Sequence, residues 1–92
     1  MNKKKLKKLR TRLGDLRARP RSIKSSELIR LARSLGRKRF NRGKEPTFIN
    51  ELLPKSRPLS IPNHPGTLKI GTAMNILDEL EKDIDDHEAL LG

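Results

Sequence analysis

Few side chains in this sequence have reaction chemistry to offer. Two histidines, His64 and His87, are its only side chains with an ordinary pKa near neutrality. His64 sits in Pro62-Asn63-His64-Pro65-Gly66, after a short apolar run and ahead of a helical pattern. A loop side chain there can act as a general acid or base, or can simply hydrogen-bond within its own loop. His87 lies among acids and reads as a surface residue. The two histidines are too far apart to suggest a metal site. Asp78, Glu79, Asp83, Asp85 and Asp86 lack the spacing of a calcium loop. The chain has no cysteine, which excludes disulfides and thiolate zinc sites. There is no glycine-rich phosphate loop, nucleophile elbow or nucleotide fingerprint, and no cofactor is implied.

Cations are the abundant resource, with 22 Lys and Arg against 11 Asp and Glu. Their placement is uneven. Residues 1–24 hold 11 Lys and Arg against the single acid Asp15, a net of +10. Residues 77–92 hold seven acids against Lys82, a net of −6. A segment so positive attracts polyphosphate with a steep salt dependence; the plain alternative is a solvated arm that keeps the protein in solution.

The elements that must position these groups follow from apolar spacing. Leu6, Leu9, Leu13 and Leu16 are 3, 4 and 3 apart, one stripe of a helix over residues 3–18 that Pro20 ends. The basic faces of this helix suit RNA, while its leucine stripe suits docking on the rest of the chain or on a second copy. Ser25 is the expected cap of a second helix, with Leu28, Leu31, Ala32 and Leu35 on its inner stripe and Gly36 as its stop. Residues 37–42, 47–49 and 59–61 read as three short strands. The first is mostly basic, with Phe40 as its one inward candidate. A last helix is expected from a Thr72 cap, facing inward through Ala73, Ile76, Leu77, Leu80 and Ile84, with its acidic end from Asp85 fraying. The predicted fold class is α+β, two helices on one face of a small three-stranded antiparallel sheet, preceded by a basic amphipathic helix. The expected core is Leu28, Leu31, Leu35, Phe48, Ile61, Ile76, Leu77 and Leu80. The expected division is a basic helical arm at 1–23, a domain at 24–84 and an acidic tail at 85–92. Deleting residues 2–21 is then expected to leave a folded domain.

Several segments, taken in order, resemble the HicA family of small bacterial toxins. They are Ser25-Ser26-Glu27-Leu28-Ile29-Arg30-Leu31, Pro58-Leu59-Ser60-Ile61-Pro62-Asn63-His64, and Leu68-Lys69-Ile70-Gly71-Thr72 with the helix after it. The resemblance covers residues 24–82. It implies a double-stranded-RNA-binding-like fold, metal-independent cleavage of mRNA, and a HicB-like antitoxin as protein partner. In the family the turn after the first strand usually reads Gly-Ser-His and carries the catalytic histidine. Here it reads Gly43-Lys44-Glu45-Pro46, so Glu45 stands at that position. A glutamate near its ordinary pKa of about 4.3 is a weak base at neutral pH and has no proton to donate. Cleavage is therefore expected to be poor, with Glu45 and His64 as the catalytic candidates.

The implied RNA surface comprises Arg37, Lys38, Arg39, Arg42, Lys44 and Lys69 of the domain, with Lys3, Lys4, Lys5, Lys7, Lys8, Arg10 and Arg12 of the arm. Contacts are expected mainly to phosphate and 2′-OH, because side chains cannot read the narrow A-form major groove. The aromatic content of 2% argues against base stacking. A different class stays open: a non-catalytic module that binds RNA or protein, its basic arm and acidic tail pairing between copies. A third is a nucleoid- or ribosome-associated basic protein. No apolar run approaches the length of a membrane span, and the N-terminus lacks the apolar core of a secretory signal, so the expected location is the cytoplasm.

Overall fold

The computed structural model describes residues 1–40 and 46–91. Three helices and a three-stranded antiparallel sheet follow in the order α1 (Lys3–Arg17), α2 (Ser25–Ser34), β1 (Arg37–Phe40), β2 (Thr47–Asn50), β3 (Leu59–Ser60) and α3 (Ile70–Leu91). This is the α+β architecture expected from the sequence.

Asn2 caps α1, its side-chain oxygen accepting from the Lys5 N–H at 2.8 Å. Lys3, Lys4 and Lys5 fill the first turn, where positive charge opposes the helix dipole. Tertiary burial must offset that cost, and it does so through the leucine stripe: Leu6, Leu9, Leu13 and Leu16 are buried in the same core as the other helices and the sheet. Of the two roles open to this stripe, the structure shows docking on the body. The leucine face of residues 1–23 is thus part of the core, and deleting 2–21 would take it away.

The cap of α2 falls on Lys24, one residue before the expected Ser25. Glu27 accepts from the Lys24 N–H at 3.1 Å, which satisfies one of the helix's unpaired donors. Ser25 is buried and serves the 62–66 loop, donating to the Pro62 carbonyl at 2.5 Å and accepting from the His64 N–H at 3.2 Å. Gly36 follows α2 with φ 98°, the left-handed region that glycine adopts freely. A Cβ there would also lie 2.8 Å from Leu52 Cδ1.

The strands run β1-β2-β3, with Arg37 opposite Asn50, Arg39 opposite Phe48 and Phe48 opposite Leu59. Phe48 and Leu59 face the helices and join the core with Ile61 and Leu68. All eight residues of the expected core are buried. On the other face Lys38 lies opposite Ile49, and Phe40 opposite Thr47; these side chains are exposed or half-buried. The inward residue of β1 is therefore Arg37, while the expected Phe40 is 39% exposed.

The first bond of α3 closes ahead of Thr72, with the Ala73 N–H donating to the Lys69 carbonyl at 3.0 Å. The helix continues to Leu91, so the expected fraying acidic tail is its last turns. Ile84 and His87 are buried there, which explains why the end stays helical.

Candidate nucleic-acid interface

The cations of α1 divide by the helix flank they occupy. Arg10 and Arg17, seven residues apart, lie on one flank. They face Asp78, Glu81, Asp85 and Glu88, which recur along α3 at spacings of 3, 4 and 3. Arg17 donates to Asp78 at 2.8 Å and Glu81 at 3.1 Å, and Arg10 to Asp85 at 2.8 Å and Glu88 at 2.7 Å. The bond to Asp85, then that to Glu88, raises the Arg10 pKa above its usual value. The bond to Asp78 does the same for Arg17. Such exposed pairs each contribute little, about 0.2–1 kcal/mol. Their consequence is geometric: acid and base pair within one chain and fix how α1 lies on α3. Arg10 is thereby paired within the chain while its side chain stays 42% exposed.

Lys3, Lys4, Lys5, Lys7, Lys8 and Arg12 occupy the remaining faces of α1, exposed and without ion pairs among the described residues. Across from Lys8 and Arg12, Arg30 of α2 is likewise exposed, and Arg33 follows it one turn later. Lys69 is exposed before α3. Lys38 and Arg39 are exposed on β1, Lys38 near Glu51 at 3.4 Å.

Arg37 must be withdrawn from the surface set. It is 2% exposed and all five of its N–H groups are satisfied. Nε donates to Asp83 Oδ2 at 2.6 Å, Nη2 to Asp83 Oδ1 at 3.0 Å and Ser56 Oγ at 2.8 Å, and Nη1 to the Phe48 and Arg57 carbonyls, both at 2.9 Å. Asp83 also accepts from Ser56 Oγ at 3.1 Å. Asn50 Nδ2 and His87 Nε2 both donate to the Leu35 carbonyl, at 2.9 and 2.8 Å, and so close the C-terminus of α2. His87 is thus a buried structural residue, contrary to its expected surface position.

His64 is exposed, and its Nδ1 accepts from the Gly66 N–H at 3.1 Å. That bond shapes the 62–66 loop and fits the plain role weighed for it. Glu45, Arg42 and Lys44 lie outside the described residues. Comparisons with family models, curated proteins and solved structures give no match for this chain.

Among the described residues no group of three or more His, Asp or Glu is placed to hold a metal ion, and no helix is long and apolar enough to cross a membrane. The free cations of α1 and α2 have the features of a surface for anionic polymers, built from flexible ammonium groups and planar guanidiniums. The acidic stripe of α3 pairs with Arg10 and Arg17 within one chain, where the sequence reading placed such pairing between copies. Its 3, 4, 3 spacing was the available signal.

Proposed function

We propose that this protein binds RNA and is of the HicA toxin type, on a double-stranded-RNA-binding-like fold, with weak or absent cleavage. The observation that carries the RNA reading is the partition of α1: Arg10 and Arg17 are held by α3, while five lysines and Arg12 stay exposed and unpaired among the described residues. Cations left exposed on a rigid, docked helix raise the local potential without ordering a flexible arm at binding. The toxin reading rests on the sequence resemblance, which the helix–three strands–helix order over residues 25–91 suits. It carries with it a HicB-like antitoxin as partner and a cytoplasmic setting. Glu45 at the family's histidine position motivates the weak cleavage.

Binding of a fluorescent RNA duplex of about 20 base pairs, followed by anisotropy against salt, tests the reading. The expected result is affinity falling steeply with salt, the log–log slope reflecting several phosphate contacts. A slope near zero, or no binding at low salt, rejects the RNA reading. Incubating wild type and Glu45→His with a long RNA in the presence of a chelator tests the chemistry. Glu45→His is expected to cleave faster. Robust wild-type cleavage that survives Glu45→Gln but is lost in His64→Ala would place the active site in the 62–66 loop instead.

A further inference from the structure

Between α1 and α2 runs an open groove of about 400 Å³. At its closed end, beside the connection between the two helices, Arg19 is bonded to Glu27. Asp15 lines the same end. Farther from the connection the lining is Lys8 and Arg12 from α1 and Arg30 from α2. None of these three makes an ion pair or a side-chain hydrogen bond among the described residues, so their donors are directed at solvent. The groove is thus polarised along its length, with three free cations at the open end and carboxylates in excess at the other.

We infer that the open end of this groove is a clamp for an RNA backbone phosphate, gripped by Arg12 and Arg30 from opposite sides with Lys8 beside them. The inference rests on the RNA-binding reading and gives it a specific site. Two guanidiniums on separate helices can offer paired N–H donors to one phosphate, a geometry that surface lysines do not reproduce. Asp15 and Glu27 repel an anion from the closed end and so fix where along the groove the phosphate settles. Lys5, exposed and one turn before Lys8 on the same flank of α1 by helical spacing, offers further charge to the next phosphate of a continuous backbone. That extended strip favours a polyphosphate over an acidic peptide, whose charges need not recur at regular spacing.

The test compares two full-length double variants that remove equal charge. R12Q/R30Q empties the clamp, and K55Q/R57Q removes two exposed cations outside it and outside the basic surface of α1. All four side chains are exposed, so both variants are expected to melt like wild type by circular dichroism. Binding of the duplex at moderate salt is expected to fall more than tenfold for the clamp variant and less than threefold for the control. The salt slope of the clamp variant should drop by about two contacts' worth. R12K/R30K, which keeps charge but loses the planar fork, is expected to fall between wild type and R12Q/R30Q. Equal losses in the two double variants would overturn the clamp and leave diffuse RNA binding intact. Failure of wild type to bind the duplex would remove the RNA reading itself. Tighter binding of polyglutamate than of the duplex, abolished by R12Q/R30Q, would overturn the ligand class.

Discussion

Arg37 shows how far a single residue's role depends on partners remote in sequence. Read from its neighbours it belongs to a run of surface cations; Asp83, 46 positions away, makes it an interior residue. Removing two charges from water is costly, and the cost is offset only when the pair is well aligned and fully hydrogen-bonded. That condition is met, since both Asp83 oxygens and all five Arg37 donors are engaged. Asp83→Ala would strand a buried guanidinium and is expected to cost about 3–5 kcal/mol in urea unfolding at neutral pH. Replacing both partners, as Arg37→Met with Asp83→Leu, is expected to cost clearly less than the sum of the single changes. Additive losses in that cycle would show that the pair does not act as a unit. Nothing local in Arg37-Lys38-Arg39-Phe40 announces this partnership, and the only aromatic residue of the run took the inward assignment. Tertiary pairing overrode the pattern.

At the scale of elements, legibility follows periodicity. The helices were readable because leucines and isoleucines recur every three or four residues, and those stripes are buried as expected. Strands of two to four residues carry too few side chains to show an alternation, and β3 holds only Leu59 and Ser60. The cap of α2 shifted by one residue because Ser25 found partners in the 62–66 loop, and α3 starts at Ile70, ahead of the expected Thr72 cap. The α1–α2 connection carries a pH signature of its own. The bond from Arg19, with a smaller contribution from the Lys24 N–H, holds the Glu27 carboxyl below the usual glutamate pKa. A depressed folded pKa means that this contribution is fully present above the unfolded value, about 4.3, and is lost as pH falls through the folded one. Wild type is therefore expected to melt above Glu27→Gln at pH 6–7 and to converge with it in acid. A melting difference that persists unchanged at pH 2 would mean that the carboxylate charge is not what matters.

For the molecule as a whole, the segregation of charge that looked like two opposed tails is an internal registration. The basic helix and the acidic helix lie against one another, and the leucine stripe between them fills the core. The spacing of the leucines was legible; the surface they would meet was not, since one stripe fits its own chain or a second copy equally well. This bears on how RNA binding should be dissected. Each of Leu6, Leu9, Leu13 and Leu16 is at most 6% exposed. Truncating one such leucine to alanine costs about 2–5 kcal/mol, and small domains hold only about 5–15 kcal/mol in total. Deleting residues 2–21 removes all four and leaves Asp78, Glu81, Asp85 and Glu88 of α3 without their arginine partners. The truncated chain is therefore expected to lose its cooperative thermal transition, and any loss of RNA affinity in it would report unfolding. Leu13→Ala should show the same effect in smaller measure, lowering the melting temperature with every cation retained. Calorimetry of the two, beside the full chain, decides the matter. A truncated protein that melts cooperatively near the full-length temperature would make α1 an appendage, whereas loss of its transition would establish that the cation-bearing helix is also a wall of the core.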